Sequence, residues 1–389
     1  MPNISDRSID LRAEDAYAVL YKARALEDRG AKVIHLEIGQ PDFETALHIS
    51  KAGIDAIRAG HTKYNPPLGL PDFRKKIAQV FSETRGDDVS FENVAVTPGG
   101  KAGIYAVLSL LINPGDEVIF PSPGFPTYEI LIDHFGGVKK PVPLLEENDF
   151  SFDTDVLKES ISPKTKIIII NSPSNPTGSI IPKKDLELIA DLAKKNDIWV
   201  FSDEIYSQIV YGGKGFESIW SIPGMKKRTF VLDGFSKTYS MTGWRLGYLV
   251  CPEGTVDSVS HLLTHMVGCT ATFTQYAGMA ALSGSQAGVK EMVSSFEKRR
   301  DYMIRELNKI DGVTCRVPMG AFYAFPNIKA FGKSSDDVAK FLLEKGKVAL
   351  LSGTSFGKYG EGYLRISYAN SLQNIKRGVI ILKDLLPRM

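Results

Sequence analysis

The chain has 389 residues, 43% of them hydrophobic and 24% charged, the balance of an ordinary globular protein. At about 100–200 residues per domain, that length predicts two domains or one large one. Its 47 lysines and arginines against 45 aspartates and glutamates leave a net charge of +2, so bulk charge gives no reason to expect nucleic acid or an anionic membrane as partner.

From the N-terminus, Met1–Arg12 is polar and charged without an apolar h-region, so no signal peptide is expected. No window reaches the roughly eighteen apolar residues of a membrane helix. Cys251, Cys269 and Cys315 are far apart and make no Cys-x-x-Cys, which suits a reduced interior; the expected location is the cytoplasm. Short β-branched or apolar runs then follow one another at Asn93–Val96, Glu117–Phe120, Lys166–Ile170, Ile198–Ser202, Thr229–Leu232 and Leu246–Cys251. Continuous apolar runs bounded by turn residues predict strands buried on both faces. Between them lie helical stretches such as Ala102–Leu111 and Lys183–Lys195, the latter with an apolar face of Leu186, Leu188, Ile189 and Leu192. Strand and helix in alternation predict an α/β fold with a mainly parallel sheet flanked by helices. A doubly wound sheet and a closed barrel both fit this pattern. Val289–Leu307 then reads as one long helix, and Val313–Val317, Phe322–Phe325 and Tyr363–Ser367 as short strands, which predicts a smaller α+β domain.

Several common motifs are missing: no P-loop, no dinucleotide-binding Gly-x-Gly-x-x-Gly after a strand, no His-Glu-x-x-His. His261 and His265 share a helix face but have no third ligand nearby, so no metal is expected. Gly353-Thr-Ser355-Phe-Gly357 matches a nucleophile elbow in letters only. A loop-like Lys358–Gly362 follows it, no histidine comes after Ser355, and it reads as a loop.

Five segments carry chemistry together. Asp233-Gly-Phe-Ser236-Lys237 sets a lysine just past a buried strand, where open α/β sheets bind ligands. Such a lysine, partly desolvated, can form a Schiff base, although alone it reads more readily as one exposed loop lysine among many. Arg245, flanked by Gly243 and Gly247, can fork onto a phosphate or simply occupy a turn. Gly99, Gly100 and Lys101 open a helix after a strand and can offer backbone N–H groups to an anion. Asn175, followed by Pro-Thr-Gly, is an amide held by a rigid turn. Asp203 and Tyr206 close the strand Ile198–Ser202. A Schiff-base lysine, a phosphate cradle with an arginine, a fixed amide, a carboxylate and a tyrosine together fit pyridoxal 5'-phosphate.

In order and spacing, Asn175-Pro-Thr-Gly, Ser236-Lys237 and Gly243-Trp-Arg-Leu-Gly make the chain resemble the class I/II aminotransferases of pyridoxal-phosphate fold type I, the aspartate aminotransferase-like family, over Leu36 to Tyr368. The resemblance implies that Lys237 is the Schiff-base lysine and proton shuttle, and that Asp203 pairs with the pyridine nitrogen. It implies that Tyr206 and Asn175 bond the phenolic oxygen. Gly99, Gly100, Lys101, Ser236 and Arg245 would hold the phosphate, with Phe125 stacked on the ring. Tyr64 would reach the phosphate of a neighbouring subunit in a homodimer. Arg365 would clamp the substrate carboxylate, with Gly39 beside it. The implied architecture is a large domain over 46–294 and a small one of 1–45 plus 295–389. The implied activity moves an amino group from an L-amino acid to a 2-oxo acid, with 2-oxoglutarate expected as acceptor. A carbon–sulfur β-lyase on the same scaffold, or an aromatic- or alanine-type aminotransferase, is the alternative. Two departures stand out. Gly234 sits where some members carry a phosphate-binding serine, and 261–275 lacks an arginine for a distal carboxylate.

Overall fold

The computed structural model describes residues 13–213 and 215–389, together with Ser5 and Leu11. The first strand, β1 (Ile34–His35), lies outside the main sheet, which is built from the next eight. These are β2 (Val94–Thr97), β3 (Glu117–Ser122), β4 (Val138–Leu145), β5 (Ser151–Phe152), β6 (Thr165–Asn171), β7 (Trp199–Asp203), β8 (Thr229–Gly234) and β9 (Gly247–Val250). Their spatial order is β2-β9-β8-β7-β6-β3-β4-β5. The pairs β3–β4, β3–β6, β6–β7 and β7–β8 are parallel, whereas β9 runs antiparallel to both neighbours and β5 antiparallel to β4. The sheet is open, with β2 and β5 at its edges, which decides against a closed barrel.

The alternation within a single strand shows why the runs are continuous. Ile167 and Ile169 face one side and join the buried cluster that holds Val107 and Leu108 of the helix Gly100–Leu111. Ile168 and Ile170 pack on the other against Ile189 and Ala190 of the helix Lys183–Lys195. Period-two side-chain direction sends neighbours to opposite faces, and helices cover both. The Lys183–Lys195 helix follows from its pattern: Leu186, Ile189, Ala190 and Ala193 are buried on one stripe, Asp185 sits in the first turn, and Lys194 and Lys195 in the last, as the helix dipole favours.

A second apolar core collects Ile34 and Leu36 from the N-terminal side with Phe296, Met303, Leu342, Ile366 and Val379. It is threaded by the long helix Ala287–Leu307 and by β10 (Tyr323–Ala324), β11 (Val348–Ala349), β12 (Leu351–Ser352) and β13 (Leu364–Ser367). Strand β1 pairs in parallel with β11, while β10, β13 and β12 form an antiparallel sheet. The expected strand over 313–317 is absent; that segment makes a single bridge, Thr314 to Asn327. The reason is local: the Asn308 side chain accepts from the Cys315 N–H at 2.7 Å and donates to its carbonyl at 3.0 Å, so both ladder groups are already engaged.

Candidate active site

Strands β3, β6, β7 and β8 all deliver their carboxyl ends to the same edge of the sheet, and that edge borders a cavity of about 760 Å³. The cavity wall includes Gly39, Gly100, Lys101, Phe125, Asn175, Asp203, Tyr206, Ser236, Lys237, Arg245 and Arg365, so eleven sequence candidates from across the whole chain meet there. Gly99 adjoins them as the N-cap of the helix Gly100–Leu111. Tyr64 does not line this cavity; its side chain is 95% exposed.

Lys237 follows β8 by three residues and is half-buried, its Nζ donating to the Gly39 carbonyl at 2.5 Å. Burial, reinforced by the nearby Arg365 and Arg245 guanidiniums, pushes its amine down to about 8. Gly39 is a steric requirement, because a Cβ there would overlap the Tyr323 hydroxyl. Asp203 ends β7 and is 4% exposed. One oxygen accepts from the Tyr128 hydroxyl at 2.6 Å and the other from the Ile205 N–H at 3.2 Å. Burial pushes its carboxyl up to about 6, against those two bonds. No cation among the described residues forms an ion pair with it, so its carboxylate has room for an external N–H⁺.

Asn171, at the end of β6, braces the next turn: its amide nitrogen donates to the Asp203 carbonyl at 3.0 Å and its oxygen accepts the Asn175 N–H at 2.9 Å. The Asn175 side chain accepts from Arg365 at 3.4 Å. The Tyr206 hydroxyl meets that of Tyr323 at 2.8 Å. Arg365, on β13 and 4% exposed, donates to the Glu37 carbonyl and lies 4.6 Å from the Tyr323 ring centroid. Among the described residues it forms no ion pair with a carboxylate, its Nε is left without an acceptor, and burial lowers its pKa against the attraction of the Tyr323, Tyr206 and Glu37 groups. A buried guanidinium left this way is poised for an incoming carboxylate.

The anion cradle is equally specific. Gly99 has φ +88° and no side chain caps the helix it begins. A Cβ on Gly99 would lie 2.7 Å from the Arg245 Cζ. The Arg245 guanidinium thus abuts the positive end of a helix, an arrangement that an anion reconciles. Lys101 adds a third positive element, although its Nζ already pairs with Glu14 at 2.5 Å. His261 and His265 are both exposed on the helix Val256–Val267 and distant in role from this cavity.

The profile of the aminotransferase class I and II family matches residues 31–380. The chain belongs to that family. It is 38% identical over 389 residues to a probable aspartate/prephenate aminotransferase of Aquifex aeolicus, covering 98% of each. It is 38% identical over 357 residues to the aromatic-amino-acid aminotransferase 2 of Thermococcus litoralis, covering 91% of this chain and 92% of that one. The solved alanine aminotransferase of Pyrococcus furiosus superposes with a TM-score of 0.94 at 33% identity, covering 100% of both chains.

This aminotransferase is therefore a transferase of amino groups between amino and 2-oxo acids, and members of its family use pyridoxal 5'-phosphate. The residues fit that cofactor: a helix N-terminus without a side-chain cap beside Arg245 for a phosphate, a buried carboxylate that forms no ion pair among the described residues for a ring nitrogen, and a low-pKa amine for an aldehyde. Tyr128, Asn171 and Tyr323 also belong to this site, beyond the residues expected from sequence. Asn171 carried a signal, being a polar residue that ends an apolar strand; the two tyrosines look like ordinary core aromatics in sequence. The departure at Gly234 has a steric cause. Strand β8 runs against β9 with Gly234 opposite Gly247, and a Cβ on Gly234 would lie 2.9 Å from the Gly247 Cα. A Gly234→Ser variant is expected to lose about 1–3 kcal/mol of stability by urea unfolding, not to gain a phosphate ligand.

Proposed function

We propose that this aminotransferase moves the amino group of an L-amino acid to 2-oxoglutarate, with Lys237, Asp203 and Arg365 as its working centre. The observation carrying this reading is that one cavity holds a low-pKa amine, a buried carboxylate and a buried guanidinium, the last two forming no ion pair among the described residues. When bound, pyridoxal 5'-phosphate supplies the aldehyde that takes up the amino group and the ring that accepts electrons as the Cα–H bond weakens. As a free amine, Lys237 Nζ accepts the substrate Cα proton and returns it on the other side of the exchange; lowering its pKa to about 8 from 10.5 makes the neutral form far more accessible than in an ordinary lysine. Asp203, braced by Tyr128 and Asn171, holds a proton on the ring nitrogen. Tyr206 and Asn175 would bond the phenolic oxygen, and Phe125 would cover the ring. Gly99, Gly100, Lys101, Ser236 and Arg245 hold the phosphate. Arg365, with Gly39 beside it, forks onto the substrate α-carboxylate and orients Cα for proton transfer.

We infer a homodimer in the cytoplasm, with a large domain over 46–294 and a small one of 1–45 plus 295–389. One helix, Leu47–Arg58, leaves Leu47 (87%), Ile54 (48%) and Ile57 (49%) exposed, near the fully exposed Tyr64. A second copy covering that face would carry Tyr64 to its neighbour's phosphate. Tyr64→Phe is expected to weaken cofactor binding about tenfold by fluorescence titration with the α-carboxylate site intact; unchanged affinity removes Tyr64 from the site. The activity is tested with a panel of amino donors and 2-oxoglutarate, reading L-glutamate. Pyruvate and ammonia released without an acceptor would instead assign the β-lyase reaction.

A further inference from the structure

Behind the cavity, and lining no part of it, lies a buried cluster of charge. Arg85 ends the helix Pro71–Arg85 and is 7% exposed. Its Nε and Nη2 donate to one oxygen of Glu204 at 3.1 and 3.0 Å, and Nη2 donates to Asp233 Oδ2 at 2.6 Å. The other Glu204 oxygen accepts from Ser202 at 3.1 Å and Ser218 at 2.5 Å. Asp233 accepts from Ser207 at 2.9 Å and from the Gly234 N–H at 2.7 Å. One cation faces two carboxylates, and all their oxygens are satisfied.

The positions in sequence give the cluster its meaning. Glu204 directly follows Asp203, Ser207 directly follows Tyr206, and Asp233 precedes Lys237 by one turn of chain. A single guanidinium from a distant helix therefore ties together the ends of β7 and β8 and the segment bearing Tyr206. A buried ion cluster is a poor way to gain stability alone, since a well-packed apolar core of the same volume does as well or better. Its fork geometry is, however, suited to fixing two strand ends in one relative position.

We propose that Arg85, Glu204 and Asp233 form a positioning clamp that holds Asp203, Tyr206 and Lys237 in their working arrangement and keeps a net negative charge behind Asp203. The proposal rests on the reading that those three residues are the reaction centre. The groups facing the cluster are Arg85 from its helix, Glu204 and Ser207 after β7, Tyr239 after β8 and Tyr248 on β9; Asp203 stands on its cavity side. Asp233 disfavours charge on Asp203, and in turn the cluster favours positive charge on the groups in front.

Two variants separate charge from geometry. Glu204→Gln keeps an oxygen for Arg85, and its amide faces Ser202 and Ser218, whose hydroxyls can turn to accept; it removes one charge and few bonds. Arg85→Lys keeps the charge and loses the fork. Purified holoenzyme of each is reduced with borohydride and peptide-mapped, titrated by visible absorbance against pH, and assayed. In Glu204→Gln the absorbance midpoint is expected to fall by about half a pH unit, because a lost anion favours loss of the cofactor-bound proton, with the KM of the amino donor within about twofold. In Arg85→Lys, kcat is expected to fall at least about tenfold at similar KM, and amide exchange of the peptide spanning 232–240 to quicken in cofactor-free protein. Label on Lys237 with an unmoved midpoint and unmoved kcat, or with a lowered melting temperature alone, overturns the clamp. Absence of label on Lys237 in wild-type protein overturns the underlying reading instead. If Arg85→Lys does not fold, the Glu204→Gln midpoint decides.

Discussion

A Lys237→Ala variant is expected to lose roughly five orders of magnitude in turnover, because one side chain supplies both the covalent anchor and the mobile base. The cofactor should still bind, since its phosphate and ring partners are elsewhere, but borohydride should fix none of it to the chain. A loss smaller than about a hundredfold would remove Lys237 from the proton transfer. The same substitution has a second readout in cofactor-free protein. The native amine is depressed to about 8 from an ordinary 10.5. Between those values the unfolded chain binds the extra proton and the folded chain does not, so stability rises with pH across that window. Below pH 8 both states carry the charge and the folded one bears its desolvation. Urea midpoints at pH 7.5 and 10 should therefore rise in the wild type relative to Lys237→Ala, where this rise is lost. Asp203 acts in the opposite sense at low pH. Its carboxyl, raised to about 6, binds a proton in the folded chain that the unfolded chain has lost above an ordinary 3.8, so stability falls as pH rises through that window.

An Arg365→Met variant is the second large effect. Two charge-assisted bonds to a substrate carboxylate are each worth about 1.5–3 kcal/mol, so kcat/KM should fall by about two to four orders of magnitude, with cofactor affinity unchanged. Equal loss of both would reject the assignment. Stability should move little. The guanidinium is 4% exposed, forms no ion pair among the described residues and keeps an unpartnered Nε. Removing a buried charge that forms no ion pair among the described residues relieves a desolvation penalty that offsets the lost bonds to Glu37 and Asn175 and the longer-range attraction to the Glu37 carboxylate. The arginine is thus held ready at the expense of the substrate-free protein. A melting temperature for Arg365→Met within about 2 °C of wild type would express that balance.

Much of this is legible in the amino-acid sequence. The apolar runs of β2, β3, β6, β7, β8 and β9 lie within a residue or two of where periodicity puts them, because strands buried on both faces have no polar alternation to confuse. The helix over 183–195 has the expected bounds, since the buried Leu186 and Ile189 fall on its apolar stripe and Lys194 and Lys195 close its last turn. Strand β4 was not legible: Pro141 and Pro143 interrupt it, and both are tolerated because β4 pairs with β5 only at Leu144 and Leu145 and is otherwise an edge. The site candidates came from turns after strands, where chemistry is concentrated in this topology. Tyr128, Arg85 and Glu204 escaped for the converse reason. Their roles depend on which distant segments pack against them, and nothing local in a helix-end arginine reveals that its guanidinium reaches Asp233, 148 positions away.

Strand β1 carries a lesson about synthesis. Ile34 and His35 find their ladder partners at Val348 and Ala349, roughly three hundred residues later. A ribosome makes the chain from the front, at about 5–20 residues each second, so those early apolar groups wait tens of seconds for their mates. During that interval the central sheet can already assemble, while Ile34 and Leu36 still lack the later half of their apolar core, Leu342, Val348, Ile366 and Val379 among it. A polypeptide halted near position 300 should consequently be a good client for chaperones and a poor candidate for secretion from the ribosome as a finished body.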